Sequence, residues 1–378
     1  MRRCLGLLVV LLSLTSVGCP PTPKDDPSKK DNVQVGDKKP PEPFEPDRLK
    51  TRVEAALQDV RDRDLLTTHA FWTVFHGILG TGLEKTMLTD STDPKTKKKV
   101  NAIDYICDGG EIRGLQFLPT KDGLDVVDTR TRPDLQFVAQ GHQDQFIAEM
   151  TQWGMPKTRK FKVANRNFTF EDFIKQSKAR ASVTKNQELS WAIIVIAQFY
   201  GTEYSWTNSA GEKLHMRDVV KYELDASINE AACGGTHRLF GLTWAYHLHL
   251  KYGGKSEGVW KNVEAKIAQY KKLARDLQNP DGMLSTAYFK SKENQPNAEL
   301  RISTTGHIVE WLALAMTDDE LKAPWMQRAV HALAMQLLDL KDDAIDGGAL
   351  YHAAHGLHIY HERVWGTPAP FLALPPKK

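Results

Sequence analysis

Cysteine is scarce in this chain, and neither charge sign is in large excess. Only four cysteines occur among 378 residues, which excludes a small domain held together by a disulfide framework. Two of them, Cys4 and Cys19, lie near the N-terminus. Cys107 and Cys233 could pair in an oxidising compartment, but we expect them to be separate buried thiols. The 50 basic residues nearly balance the 47 acidic ones, giving a net charge of +3. No nucleic-acid partner is therefore expected.

The N-terminus is predicted to be an export signal. Two arginines precede an apolar run over residues 5–14, which is too short to span a bilayer as a permanent helix. The Gly-Cys pair that ends at Cys19 resembles the cleavage site of bacterial lipoproteins, although Ser16 stands where Leu is usual. The resemblance implies that the signal region, residues 1–19, is cleaved directly before Cys19, and that the lipidated Cys19 then anchors the chain to a membrane of the bacterial cell envelope. Ordinary secretion is the alternative.

Residues 20–45 are predicted to form a disordered tether between the membrane and the folded domain. They are rich in proline, lysine and aspartate, and no aromatic residue occurs among them before position 44. Such a segment cannot bury enough apolar surface to fold. The folded domain is therefore expected over residues 46–378.

The domain is predicted to be all-α. Apolar residues recur with the period of a helix and define about a dozen amphipathic or buried segments. Segments 188–200 and 305–316 are apolar nearly all round, whereas 257–278 and 323–339 each have one charged face. This alternation predicts an α/α toroid of about six helical hairpins, with a buried inner wall and a solvated outer wall. The predicted helices are 46–63, 67–80, 98–107, 142–153, 170–181, 188–200, 216–229, 237–252, 257–278, 305–316, 323–339 and 350–363.

One segment departs from the helical pattern. Residues 112–118 and 124–127 flank a Lys-Asp-Gly turn, so residues 109–140 are predicted to contain a short β-hairpin inserted between two helices. Such a hairpin either covers one mouth of the toroid as a lid or is a surface insertion without a role at the site.

A short motif occurs four times where inner helices are predicted to begin. In each copy a small residue precedes a histidine, and an apolar run of helical period follows. All inner helices of a toroid begin at the same mouth, so these imidazoles are expected to converge on one cavity. The four copies are Gly141-His142, Thr236-His237, Gly306-His307 and Ala354-His355.

His307 belongs to the most informative of these motifs. In segment 303–312, Ser and Thr precede a Gly-His pair, and Glu310 follows on the same helical face. The segment resembles the Gly-His-x-x-Glu-Trp motif of the N-acylglucosamine 2-epimerase family, whose α/α barrels isomerise sugars by moving a proton beside a carbonyl. The resemblance implies that His307 is catalytic, that Glu310 supports it, and that His355 or His352 is a second catalytic histidine.

Cys233 and His237 could supply two ligands of a metal ion, with His307 and His355 completing the set. A Cys-x3-His spacing is by itself a weak zinc signal. The alternative is a packed thiol beside a hydrogen-bonded histidine. We therefore assign no metal, leave the cofactor open and retain His237 as a catalytic candidate. The further candidates, for ligand binding, are His142, Asp144, Glu188, Arg301 and Thr305.

Segment 278–284 carries a different family signal. Its sequence, Gln-Asn-Pro-Asp-Gly-Met-Leu, is similar to the Gln-x-x-Asp-Gly repeats of squalene cyclases and related prenyltransferase-like toroids. The resemblance implies a structural role, because that repeat ties neighbouring hairpins together. The Asp-x-Asp-Asp acid motif of the cyclases and the Asp-x-Cys zinc pair of protein prenyltransferases are absent from the sequence, which argues against those reactions.

These features predict an exported, membrane-tethered toroid enzyme that acts on a carbohydrate or similar polar ligand by histidine-based proton transfer. The first alternative is a noncatalytic binding or scaffold lipoprotein. The second is a terpenoid-binding toroid with an aromatic-lined cavity. An open pocket with titratable groups would favour the enzyme over the scaffold. Four tryptophans on predicted inner helices keep the terpenoid hypothesis open: Trp72, Trp191, Trp244 and Trp311.

Overall fold

The structure, a computed structural model, describes residues 44–89, 97–127 and 140–366. These residues are mostly helical, which confirms the all-α prediction. The predicted signal peptide, the lipidation site Cys19 and nearly all of the tether lie outside the described residues. The helices are α1 Leu49–Asp62, α2 Phe71–Thr81, α3 Ala102–Cys107, α4 Gln145–Gln152, α5 Phe170–Arg180, α6 Ser190–Tyr200, α7 Met216–Asp225, α8 Thr236–Lys251, α9 Val259–Asp276, α10 Ala298–Ala315, α11 Asp318–Leu321, α12 Pro324–Asp339 and α13 Gly347–Trp365.

Four short antiparallel hairpins interrupt the helices. The predicted hairpin forms around the turn before Leu124, although its first strand is shorter than expected. The sequence analysis missed the other three. The pairs are β1 Thr86–Leu88 with β2 Lys99–Asn101, β3 Phe117–Pro119 with β4 Leu124–Val126, β5 Lys160–Val163 with β6 Arg166–Thr169, and β7 Ser205–Thr207 with β8 Lys213–His215.

Three of these hairpins lead directly into a helix. The last residues of β2, β6 and β8 are Asn101, Thr169 and His215, which immediately precede α3, α5 and α7. Each caps its helix: the side chain of Asn101 accepts from the Asp104 amide, and Thr169 and His215 form capping boxes. The chain therefore repeats a unit of buried helix, hairpin and second helix over α2 to α7.

Helices differ in burial as the sequence predicted. Residues 190–198 of α6 and 304–315 of α10 are buried without interruption, whereas α9 buries only Trp260, Val263, Ile267 and Ala274. The buried helices contact one another in sequence: α2 packs on α4, α4 on α6, α6 on α8, α8 on α10, α10 on α13, and α13 on α2. A helix that is apolar all round requires such neighbours on several sides.

Glycine permits the closest of these contacts, between α10 and α13. A Cβ atom on Gly306 would lie 2.8 Å from the Cα of Ala353, and one on Gly356 would lie 2.7 Å from the amide nitrogen of Glu310. The absence of a side chain at both positions lets the two backbones approach. As a result, His307 and Glu310 of α10 lie beside His352 of α13.

The predicted starts of α10 and α13 are wrong. His307 and His355 lie well inside helices that begin at Ala298 and Gly347. The true N-caps are Asn297, which accepts from the Leu300 amide, and Asp346, which accepts from the Gly348 and Ala349 amides. The first turn of α10 contains Glu299 and Arg301, and α13 begins with Gly347 and Gly348, so neither start shows apolar periodicity. His237, by contrast, is the second residue of α8, and His142 precedes α4.

Cys107 is a buried free thiol, as expected, and does not pair with Cys233. Burial raises the pKa of the Cys107 thiol to about 11, although the Arg159 guanidinium donates a hydrogen bond to it. Cys233 is disulfide-bonded, so the prediction of a second free thiol is wrong. None of the helices within the described residues is both long and apolar enough to cross a membrane.

Candidate functional site

Five imidazoles from separate parts of the chain meet in the interior. They are at most 4% exposed, and each contacts at least one other. Ring centroids lie 4.1 Å apart for His307 and His352, 4.9 Å for His142 and His237, and 5.1 Å for His76 and His352. His237 lies 5.4 Å from His307 and 5.5 Å from His352. We call these five residues the histidine cluster.

Two of the five rings are oriented by their own helices. Nδ1 of His76 lies 2.7 Å from the carbonyl oxygen of Trp72, and Nδ1 of His307 lies 2.7 Å from that of Ser303. A carbonyl oxygen only accepts hydrogen bonds, so Nδ1 carries the proton in both rings. Nε2 of His76 and of His307 therefore presents a lone pair.

Three rings, two of them in the cluster, are oriented by carboxylates. His352 and His355 donate from Nδ1 to the two oxygens of Glu310, at 2.8 Å and 2.6 Å. His142 donates from Nδ1 to Glu188 at 2.8 Å. Burial alone would raise the pKa of Glu310, but the imidazoles of His352 and His355 hold it far below its ordinary value. Glu310 is therefore a buried carboxylate ion next to the cluster.

Three rings of the cluster are neutral near neutral pH. Burial and the neighbouring imidazole of His352 together lower the pKa of His307 to about 3. Burial also lowers the pKa of His76 and of His237, again reinforced by adjacent imidazoles. Several neutral rings thus present nitrogen lone pairs to one small volume.

Several of these nitrogens have no hydrogen-bond partner among the described residues. They are Nε2 of His142, Nε2 of His352 and both ring nitrogens of His237. A buried polar atom without a partner costs roughly 1–3 kcal/mol. The arrangement therefore suits an occupant that accepts lone pairs, namely a proton donor or a cation.

Three overlapping sets of side chains have ligand atoms within 4.8 Å of one another. The first, His142 with Cys233 and His237, offers no thiolate because Cys233 is disulfide-bonded. The second consists of His237, His307 and His352. The third is His76 with Glu149 and His352. Imidazole nitrogen alone makes up the second set, which suits zinc, copper, iron or nickel.

The predicted catalytic residues lie in or beside the cluster. His307 and His237 belong to the second set, and Glu310 orients His352. His355 lies on the other carboxylate oxygen of Glu310 and belongs to none of the three sets. The sequence thus points to the right helix, α13, and of the two histidines named there it is His352 that joins the cluster.

The predicted ligand-binding residues divide into two groups. His142 is in the cluster and Glu188 orients it. Asp144 instead accepts from Ser177 and pairs with Arg180. Those contacts hold α4 against α5.

Arg301 and Thr305 make local contacts with the segment before α10. Arg301 pairs with Asp281 at 2.7 Å, and the Thr305 hydroxyl accepts from the amide of Leu284 at 3.1 Å. In the same segment, Gln278 donates to the carbonyl oxygen of Trp325 at 2.9 Å, which links it to α12. These contacts tie the segment to α10 and α12.

The sequence analysis did not identify Glu149. Glu149 lies on α4, is fully buried, and has Oε1 3.6 Å from Nε2 of His76. Burial raises the pKa of Glu149 well above its ordinary value, and the charge of Glu310 adds to the effect. A glutamate next to the apolar residues Phe146, Ile147, Ala148 and Met150 was the signal in the sequence that could have revealed it.

No protein-family model, no curated protein and no solved structure matches this chain. The resemblances of segments 303–312 and 278–284 to known families therefore depend on those short motifs alone. The chemistry of the histidine cluster follows from its own geometry.

Proposed function

We propose that this protein binds a divalent first-row transition-metal ion through Nε2 of His237, His307 and His352. The observation that carries the proposal is a buried set of three imidazoles whose ligand atoms lie within 4.8 Å of one another. Metal-bound histidines typically donate their other ring N–H to a carbonyl or a carboxylate. His307 and His352 do so, to Ser303 and Glu310.

The charge around the three imidazoles also favours a cation. Glu310 is ionised and bonded to one of the three ligands, so it would offset part of the charge of a divalent ion. Glu188 is hydrogen-bonded to His142, which is not one of the three ligands, so its charge acts on the site from a greater distance. Neutral imidazoles need lose no proton when they bind a metal, so binding remains favourable near neutral pH.

Three histidine ligands leave a fourth position for water or substrate, which is the arrangement of catalytic rather than structural zinc sites. A metal ion there would polarise a bound oxygen or lower the pKa of a bound water. We accordingly propose metal-assisted chemistry on a small polar ligand as the activity. One surface cavity of the described residues, about 830 Å³, is lined by residues such as Tyr105 and Lys162 and by no member of the cluster.

Histidine-based proton transfer, which the epimerase resemblance implies, is the competing function. It uses the same residues, with His307 as the base. A base whose pKa is about 3 accepts protons poorly near neutral pH. The metal function makes use of the neutral ring, and we therefore favour it.

We further propose that the helices form an α/α toroid, tethered to the bacterial envelope through a lipid on Cys19. The order of helix contacts supports the toroid, since the series from α2 through α4, α6, α8 and α10 returns to α2 by way of α13. Ligands from α8, α10 and α13 would then lie on its inner wall. A noncatalytic toroid that binds metal without turnover is the alternative.

Metal titration tests the proposed function. Full-length protein stripped of metal is titrated with Co²⁺, and the visible absorption of bound cobalt is followed. We expect tight binding in the wild-type chain and binding weaker by roughly 100-fold or more in His307→Ala. Loss of a ligand should lower the metal affinity at least as much as loss of an outer-shell partner does. His249→Gln is the matched control, because His249 is another buried histidine on α8 and bonds to Thr202 instead. Absence of tight binding, or equal loss in both variants, would overturn the proposal.

A further inference from the structure

We propose that the cluster holds a second divalent cation beside the first, bound by Nε2 of His76, the carboxylate of Glu149 and the amide oxygen of Gln145. This inference rests on the proposed function, because the two ions would be neighbours in one centre. All three side chains are completely buried.

The donor atoms of His76 and Glu149 face each other. Nε2 of His76 lies 3.6 Å from Oε1 of Glu149. Nδ1 of His76 is bonded to the carbonyl oxygen of Trp72 at 2.7 Å, so the ring is fixed with its lone pair directed at the carboxyl group. An ordered imidazole with a carbonyl partner behind it has the outer-shell arrangement of a metal ligand.

Gln145 lies between these two donors. Its amide nitrogen lies 3.1 Å from Nε2 of His76 and 3.0 Å from Oε1 of Glu149. Oε1 of Gln145 and Oε2 of Glu149 are buried and have no hydrogen-bond partner among the described residues. A half-turn of the amide would exchange its nitrogen and oxygen, which would direct the carbonyl oxygen at the two donors. The set would then contain one nitrogen and two oxygen ligands, which suits Mn²⁺, Fe²⁺, Co²⁺ or Zn²⁺.

His352 places this second position next to the first. Its ligand atom lies within 4.8 Å of those of His76 and Glu149, and also of those of His237 and His307. The rings of His76 and His352 lie 5.1 Å apart. Two-metal sites typically hold their ions about 3.5–4 Å apart and bind one oxygen between them. The two ligand sets share His352, and the ligand atoms of each set lie within 4.8 Å of one another, so ions bound by both sets would be neighbours.

Each of the two proposed cation positions has one carboxylate group near it. Glu310 serves the first ion through His352, and Glu149 would serve the second directly. Each ion would therefore be accompanied by one carboxylate.

Metal stoichiometry tests the second position. Full-length protein is dialysed to equilibrium against Co²⁺, and bound cobalt per chain is measured. We expect two ions in the wild-type chain, one in Glu149→Gln, and two in Glu264→Gln, which changes an exposed carboxylate. One ion in the wild-type chain, removed by His307→Ala, would overturn the second position and leave the proposed function intact. No bound ion would overturn both, and two ions in Glu149→Gln would overturn the role of Glu149.

A spectroscopic measurement avoids dependence on the folding of any variant. The electron paramagnetic resonance signal of wild-type protein is recorded with one and with two equivalents of Co²⁺. Ions about 4 Å apart interact magnetically, so we expect a smaller signal per cobalt with two equivalents than with one. A signal that doubles with the second equivalent would overturn the proposal, since it would place the ions far apart.

Discussion

The carboxylate of Glu310 is shared by two imidazoles, and only one of them belongs to the proposed metal site. His352 and His355 each donate a hydrogen bond to it, from adjacent turns of α13. Because the pKa of Glu310 is lowered by these partners, the carboxylate remains ionised. It fixes the ring of His352 with Nε2 toward His237 and His307.

Glu310→Gln should therefore weaken the first metal ion without removing a ligand. The amide keeps the shape of the side chain but loses the charge, and changes of this kind typically cost about 10–100-fold in metal affinity. Competition with a chelator measures the change. Glu188→Gln is the control, because Glu188 orients His142, which is not one of the three ligands. Equal losses in the two variants would contradict the role given to Glu310.

Acid should destabilise the metal-free protein through the same residues. A histidine whose pKa is lowered on folding binds protons better when unfolded, so its contribution to stability is complete above about pH 6.5 and is lost as the pH falls. For His307 this loss extends from 6.5 to about pH 3. Each such histidine contributes a slope of up to about 1.4 kcal/mol per pH unit. Glu149, whose pKa is raised by burial, acts in the opposite direction and offsets part of the loss.

Urea unfolding at a series of pH values measures this slope. We expect the free energy of unfolding of the metal-free protein to fall between pH 7 and pH 5. In His307→Gln we expect this slope to be smaller by up to the contribution of one histidine, about 1.4 kcal/mol per pH unit. A stability that is independent of pH over this range would show that the rings are not neutral and buried together.

At the scale of elements, the contact between α10 and α13 determines whether the ligands meet. Gly306 precedes His307 and faces Ala353, and Ala353 follows His352. A side chain at position 306 must separate the helices that carry two of the three ligands. The glycine is thus a packing requirement of the site.

Gly306→Ala should cost both stability and metal affinity. A Cβ atom 2.8 Å from the Cα of Ala353 forces the backbones apart, and overpacking of this kind costs about 1–3 kcal/mol. Gly77→Ala is the matched control in α2, because its Cβ would approach side-chain atoms and no backbone: the flexible end of Leu65 at 3.1 Å and the ring of Tyr351 at 3.5 Å. Thermal unfolding and Co²⁺ titration of both variants check the difference. Similar effects in the two variants would contradict this account.

The periodicity of the sequence predicted most helices, because burial on one side or all round leaves a local pattern. It also indicated that His142, His237 and His307 would be important. It did not indicate the starts of α10 and α13, because the first turn of α10 is charged and α13 begins with two glycines. Strands of three or four residues are too short to show alternation, which is why three hairpins were missed.

The pairing of His76 with Glu149 could not be predicted from the sequence. Their meeting depends on the packing of α2 against α4 rather than on any local spacing. The same holds for the pairing of Glu310 with His352, which is 42 residues away along the chain. Local motifs indicated candidate residues, and only the packing of helices showed which of them share a site.

At the scale of the molecule, a metal ion would join three helices that are distant in sequence. An ion bound only by the folded chain stabilises it, by about 2.7 kcal/mol when its free concentration is 100 times its dissociation constant. We expect the thermal midpoint to rise with Zn²⁺ in the wild-type chain and in His249→Gln, and to rise less in His307→Ala, which lacks a ligand of the first ion. A chelator should reverse the rise. A rise of the same size in all three proteins would point to binding elsewhere.

The central claim, a metal ion held by His237, His307 and His352, is tested most directly by anomalous X-ray diffraction. Crystals of the zinc-loaded protein would be measured on both sides of the zinc absorption edge. We predict an anomalous peak about 2.0–2.1 Å from Nε2 of each of the three histidines. A fully loaded crystal with no peak among these three nitrogens would contradict it.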